Sequence, residues 1–276
     1  MVSPNLTVVI PTYNRPDETK RAILSARLPS HDPEIIVVDD SSPVAFQFPG
    51  VLVIRLNENS GPGVARKEGV EAASCQMIAF LDSDDCYEKG WLVAVDTALS
   101  KVPLVNFPIV ILGKTEGFSG HLNRIVDVLS VMAPTLRLTL TRLIVCFFNF
   151  ASTSSTVISR NICRFASNLR YCEDYFTFAY AVFSARRIIM LNRNGSCIYR
   201  RPNSVGGLTS HRKDMILGEL LVKKWIVKTK SICLSYRCLA IYGILYTCVR
   251  SILKGEFSYF IEAVCEVKGK DIEGVD

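Results

Sequence analysis

Short runs of β-branched and aliphatic residues, two of them closed by acidic clusters, limit what this chain can fold into. Leu6–Pro11 (LTVVIP), Glu34–Val38 (EIIVV), Val51–Leu56 (VLVIRL) and Gln76–Leu81 (QMIAFL) are near-continuously apolar, the pattern of strands buried on both faces. Helical stretches separate them. Pro16 suits the first position of a helix reaching about Leu28, and Gly61-Pro62-Gly63 opens one reaching about Ser74. Strands alternating with helices predict an α/β fold with a mostly parallel sheet and right-handed crossovers. The second run ends on Asp39-Asp40-Ser41-Ser42 and the fourth on Asp82-Ser83-Asp84-Asp85. Ligands of open α/β sheets collect beyond the carboxyl ends of the strands, so both clusters are expected at one crevice.

The pattern is less regular further on. Pro103–Leu112, Phe147–Phe150, Ser155–Ile158, Ile188–Leu191 and Cys197–Arg200 are expected as strands. His121–Thr141 is expected as helix broken at Pro134, and Cys172–Ala185 as a helix with two acids near its positive end. Arg201–Arg212 reads as a basic Gly/Ser-rich loop.

The acids carry the chemistry. Hard divalent cations take oxygen ligands and are often shared with a substrate's phosphates, which suits an apolar strand ending in Asp-x-Asp-Asp. The same residues are also favoured helix N-caps. Carboxylates at Asp39 and Asp40 suit hydrogen bonds from a nucleobase or ribose, or a solvated turn. Asn59–Arg66 (NSGPGVAR) joins a strand to a helix, where glycines permit close backbone approach to a ligand. It is not a dinucleotide fingerprint, which would follow the first strand.

Together, VVIPTYNRP, EIIVVDDSS, NENSGPGVARKEGV and MIAFLDSDD, in this order and at these gaps, resemble the nucleotide-binding half of family 2 inverting glycosyltransferases. The later STSSTVISRNICRFASNLRYCEDYFTF is similar to that family's acceptor half. The resemblance implies a GT-A fold with a Rossmann-like nucleotide-binding half. It covers roughly residues 5–205, which sets the expected domains: 1–100 for the nucleotide, 101–205 for the acceptor, and a tail from 206 to 276. It further implies a nucleotide-sugar donor, most simply a UDP-sugar, and a divalent metal, Mg or Mn. Pro11, Tyr13, Asp39, Asp40, Arg66, Asp82 and Ser83 would line the donor site. Asp84, with Asp85, would hold the metal. Asp174 would be the catalytic base with Glu173 beside it, and Arg200 would belong to a loop over the diphosphate. The chain departs from the family pattern at Phe178-Ala179-Tyr180, where an Arg is common, and at Pro202-Asn203, where a His is common. His211 is a distant substitute in a basic stretch.

From His211 to Glu256 nine basic and three acidic residues account for the whole net charge of +6. Met215–Ile226 reads as a helix. Ile232–Leu253 is long and apolar, but Arg237 and Arg250 interrupt it. A membrane span needs about 20 apolar residues with few charges, so an element lying on an anionic inner membrane surface is expected. The alternative is a helical pair packed on the catalytic domain. Membrane association points to a glycan or lipid-linked acceptor and a peripheral cytoplasmic location. No basic segment precedes Leu6, so no signal peptide is expected. The ten cysteines lack any C-x-x-C pair and read as small hydrophobes in a reducing compartment. A nucleotidyltransferase would need a Gly-rich basic loop after the first strand, where Pro11–Arg15 stands. A nucleic-acid binder is disfavoured because the basic segment is apolar and confined to the tail. A decayed binding module would have lost the acids, and they are present.

Overall fold

A computed structural model describes residues 6–27, 33–102, 108–117, 120–198 and 211–273. Its contacts divide the chain into two units. One comprises Met1–Leu138, Ala151–Cys163 and Ser184–Arg200; the other comprises Thr139–Phe150, Arg164–Phe183 and Arg201–Asp276. Residues 139–150 and 164–183 group with the tail rather than with the strands.

Among the described residues the first unit holds one eight-stranded sheet. In chain order its strands are β1 (Leu6–Thr12), β2 (Glu34–Asp39), β3 (Leu52–Arg55), β4 (Met77–Phe80), β5 (Asp85–Tyr87), β6 (Ile109–Glu116), β7 (Thr156–Ser159) and β8 (Arg187–Ile198). They lie in the order β3-β2-β1-β4-β7-β6-β8-β5. β3, β2, β1 and β4 are mutually parallel, as is the β6–β8 pair. The β4–β7, β6–β7 and β5–β8 pairs are antiparallel. The parallel half is thus the one the apolar runs describe.

Both β1 and β2 are buried almost throughout, on both faces. β3 is half exposed, since it forms the edge of the sheet. Helices α1 (Pro16–Ala26) and α2 (Pro62–Ala72) begin on the expected prolines. Gly69 sets how closely α2 lies on β1: a Cβ there would stand 2.4 Å from Val9 Cγ1. Beyond β5, α3 (Trp91–Leu99) buries Trp91, Leu92, Val95 and Leu99 against the core formed with Ile10, Ile23 and Ile111. Neither β5 nor α3 was anticipated. α4 (Gly120–Ser130) and α5 (Pro134–Val145) confirm the break before Pro134.

Two strand expectations fail. Residues 147–150 form no strand. Their side chains go to separate partners: Phe147 and Phe148 to Tyr246, Asn149 to Asp174, and Phe150 edge-on to Phe178. That dispersion is incompatible with the two-sided alternation of a strand. Conversely, β8 is one strand rather than two, running through the polar Asn192–Ser196. The polar stretch is tolerated because Ser196 Oγ lies 2.9 Å from Ser155 Oγ, which in turn lies 2.6 Å from Thr115 Oγ1. The β6–β8 register also shifts between Leu112 and Thr115, accommodating the extra length.

The second unit is helical: the C-terminal part of α5, then α6 (Glu173–Ser184), α7 (Arg212–Lys228), α8 (Leu234–Leu253) and α9 (Phe257–Val267). Trp225 of α7 packs edge-on to Phe176 of α6 at 5.1 Å between ring centroids. Much of the tail's positive charge is paired within the tail. Lys213 pairs with Glu262 and Glu266, and Lys224 and Lys228 pair with Asp271. No helix among the described residues is long and apolar enough to cross a membrane. All ten cysteines are free thiols. Burial pushes the Cys146 thiol up to about 12, so it stays neutral and packs as a small hydrophobe.

Candidate functional site

The parallel strands put their carboxyl ends at one edge of the sheet. Thr12 is in register with Asp39, and Asp39 with Arg55. Leu81, just past β4, donates its N–H to Val9 of β1. The chain passes from β1 to β2 on one side, and β4 lies on the other, so the β1/β4 boundary is the switch point at which such sheets bind ligands. Pro11 is buried there within β1, and Tyr13, just past the strand, is 47% exposed.

Asp39 is fully buried. Its Oδ1 accepts from the Ser42 N–H (2.9 Å), and its Oδ2 accepts from the Phe46 N–H (3.2 Å) and from Arg55 Nη1 (2.8 Å). Asp40 accepts from the Ser60 N–H at 2.7 Å and the Gly61 N–H at 2.9 Å, tying β2 to the start of α2. Both carboxylates organise backbone; neither stands open as a solvated turn.

The Asp-Ser-Asp-Asp turn separates its three acids. Arg66, almost fully buried one turn into α2, donates from Nη2 to Asp82 Oδ1 at 2.6 Å. Arg15, at the mouth of α1, forms an ion pair with Asp84; the two side chains are 41% and 40% exposed. Asp85 turns inward, opens β5, and accepts from Ser154 Oγ at 2.6 Å, while the same Oγ accepts from the Asp82 N–H at 3.0 Å. Ser83 is buried beside them. Three acids expected to act on a ligand are thus each held by an arginine: Asp39 by Arg55, Asp82 by Arg66, and Asp84 by Arg15.

Arg15, Arg55 and Ser154 were not singled out in the sequence. Arg15 and Ser154 each lie 69 residues from the acid they serve, a spacing that no local pattern reports. Of the acids in the turn, Asp85 is buried, while Asp84 (40% exposed) and Asp82 (35% exposed) have the accessibility and donor type a hard cation needs. Mg²⁺ and Mn²⁺ are commonly held by one or two carboxylates completed by substrate phosphates, so the residues present fit such an ion. Among the described residues, Glu88, Glu116 and Cys197 form a separate close group at the β5–β8–β6 end of the sheet.

In the helical unit, Glu173 and Asp174 open α6. Cys172 precedes them with a left-handed φ of 59°. Glu173 is buried. Asp174 is partly exposed, and its Oδ2 accepts from Asn149 Nδ2 at 3.0 Å. Both acids lie in the first turn of α6, where the helix dipole favours negative charge. Tyr175 donates its hydroxyl to the Val145 carbonyl at 2.6 Å, fixing this turn against the end of α5. Arg200, with Arg201 and Ser204, lies outside the described residues.

A family model described as glycosyl transferase family 2 matches residues 7–161, more than half of the chain. The chain belongs to this family. A segment of 119 residues is 35% identical to the succinoglycan biosynthesis protein ExoO of Rhizobium meliloti (strain 1021), covering 39% of this chain and 34% of that protein. Another of 99 residues is 36% identical to the putative teichuronic acid biosynthesis glycosyltransferase TuaG of Bacillus subtilis (strain 168), covering 32% of this chain and 39% of that protein. The chain therefore matches little more than a third of the length of these relatives. Among solved structures, S. aureus TarS 1–349 in complex with UDP-GlcNAc has a TM-score of 0.66 at 18% identity, covering 95% of this chain and 80% of that one. The mannosyltransferase PcManGT of Pyrobaculum calidifontis, in complex with GDP-Man and Mn²⁺, has a TM-score of 0.61 at 13% identity, covering 99% of this chain and 76% of that one. These likenesses establish a shared GT-A fold for this family 2 chain.

Proposed function

We propose that this family 2 protein moves a sugar from a UDP-sugar to a hydroxyl of a lipid-linked glycan, with inversion at the anomeric carbon, during assembly of a surface polysaccharide. The observation that carries the reading is the acidic turn after β4, where Asp82 is held by buried Arg66 and Asp84 stands accessible at the switch point of the sheet. The UDP-GlcNAc bound by TarS and the polysaccharide pathways named for ExoO and TuaG support the donor and product classes.

In this reading Tyr13 and Pro11 line the nucleoside pocket, and Asp39 and Asp40 act by shaping its walls. Asp82, Ser83 and Arg66 face the ribose and diphosphate, and the family resemblance assigns Arg200 to the diphosphate. Asp84 would hold a divalent metal, with Asp85 fixing the turn beneath it through Ser154. The Mn²⁺ in the PcManGT complex supports that assignment. Such an ion would offset the charge gained by the departing diphosphate. Asp174, oriented by Asn149 and flanked by Glu173, takes the proton of the acceptor hydroxyl. The acceptor oxygen bonds to the anomeric carbon as the bond from that carbon to the diphosphate breaks, and the nucleoside diphosphate leaves with the electron pair. The site of action is the inner face of the membrane, where lipid-linked acceptors are presented.

The test is calorimetric titration with UDP, GDP and dTDP, with and without Mn²⁺. Metal-dependent binding of UDP is expected; no binding of any nucleotide by folded protein would overturn the reading. Asp174→Asn should keep UDP affinity and lose transfer to a lipid-linked acceptor. Normal turnover would remove Asp174 from the base role.

A further inference from the structure

α8 faces the wrong way for a helix of a water-soluble domain. Ala240, Gly243, Thr247 and Ser251 are its buried residues. Leu234, Ile241, Leu245, Val249, Ile252 and Leu253 point outward, each between 50 and 82% exposed. The first five are spaced seven, four, four and three residues apart, which keeps them on one stripe along a helix of about 30 Å. No charged residue interrupts the stripe. Arg237 turns its Nε to the Val227 carbonyl at 2.6 Å, and Arg250 pairs with Glu219.

Two features hold this orientation. Lys223 of α7, fully buried, donates to Glu219 Oε1 at 2.6 Å and to the Gly243 carbonyl at 2.9 Å, and also bonds Thr247. Gly243 lies so close to the end of α5 that a Cβ would stand 2.1 Å from the Cys146 carbonyl oxygen. Rotating the helix to bury its apolar side would break the ionic cluster and drive side chains into backbone. The stripe is therefore fixed outward, and an apolar surface of this extent marks an interaction site.

Charge identifies the occupant. Lys230 stands exposed before the first turn of α8 and Lys254 directly after the last. Cations at both ends of an apolar, uncharged stripe suit a surface of acyl chains beneath anionic headgroups. On its flank, Tyr246 packs against Phe147 and Phe148 at 6.4 and 6.3 Å, and the next residue, Asn149, bonds Asp174.

We propose that α8 is the surface by which this protein lies on an anionic lipid bilayer, its stripe sunk at the boundary between headgroups and acyl chains and its axis in the membrane plane. The Tyr246–Phe147–Phe148 flank then leads a lipid-linked acceptor toward Asp174, a step that rests on the base assignment above.

The full chain is sedimented with vesicles of phosphatidylcholine alone or mixed with phosphatidylglycerol. Binding to the mixed vesicles, weakened by salt, is expected. Leu245→Glu/Val249→Glu should lower that partitioning at least about tenfold, and Lys230→Glu/Lys254→Glu should abolish the preference for anionic lipid. Thermal melts check that both variants fold, and calorimetry should find UDP binding unchanged in each. Failure of the wild type to bind either vesicle, or full binding by Leu245→Glu/Val249→Glu, overturns the proposal. So does a wild-type dimer that this variant converts to monomer, since the stripe would then join two copies. Loss of UDP binding in the wild type would instead strike the transferase reading and leave the vesicle result standing.

Discussion

Replacing Arg15 by Gln tests whether Asp84 is the metal ligand. In the free protein the Asp84 carboxylate is neutralised by the Arg15 guanidinium. A cation that uses Asp84 must displace that partner, so part of its binding free energy is lost to breaking the pair. Both side chains are about two-fifths exposed, at 41% and 40%, and solvent screens the pair strongly. Half-exposed pairs contribute up to about 1 kcal/mol; taking ~0.7 kcal/mol gives about a threefold effect. Arg15→Gln should therefore tighten Mn²⁺ binding to nucleotide-free protein by about threefold, measured by calorimetry or by the free-Mn²⁺ resonance signal. The gain should shrink in high salt, which weakens the original pair. In an Asp84→Asn background the Arg15 substitution should change nothing, because the coupling partner is gone. Unchanged or weaker Mn²⁺ binding in the single variant would refute the reasoning and place any metal away from Asp84.

Ser154→Ala removes the hydroxyl that joins the Asp82 N–H to the Asp85 carboxylate in a fully buried position. Losing those two buried hydrogen bonds should cost about 2 kcal/mol in denaturant unfolding and weaken UDP binding; wild-type values of both would show that Ser154 does not hold the turn. Glu219 gives a pH signature. Burial works to raise its carboxyl, but Lys223 and Arg250 outweigh burial and hold it below its ordinary 4.5. A depressed acid stabilises the fold fully above 4.5, and that stabilisation is lost as pH falls through the lower folded value. Glu219→Gln should cost about 3 kcal/mol near neutrality, and its melting temperature should converge on the wild type's in acid. A gap independent of pH would deny the ion cluster its role.

What was legible depended on whether a residue's partner was local. The apolar runs announce β1, β2 and β4 because a strand buried on both faces leaves no polar position, and Pro16 and Pro62 announce their helices because each fits the first turn. The acidic turn was legible as a site, but its division of labour was not. Whether Asp84 or Asp85 faces outward depends on Ser154 and Arg15, brought in from distant strand and helix ends. β5 was missed because three residues, Asp85–Tyr87, carry no periodicity. Residues 147–150 misled because four neighbouring aromatic and polar side chains resemble a strand until their separate partners are known.

The helical tail shows why charge counting along the chain reads such a segment only in part. The excess from His211 to Glu256 looked like one basic surface, yet Lys213, Lys224 and Lys228 meet acids that lie beyond that window, at Glu262, Glu266 and Asp271. Lys223 and Arg250 close on Glu219 inside the helix packing. The arginines that interrupt the apolar stretch in sequence therefore do not interrupt its outer face in space. Arg237 and Arg250 argue against a membrane span because each is committed to a partner within the unit. For the same reason they leave the opposite side of the helix uniformly apolar. The feature that excludes crossing the bilayer is what makes lying on it geometrically available.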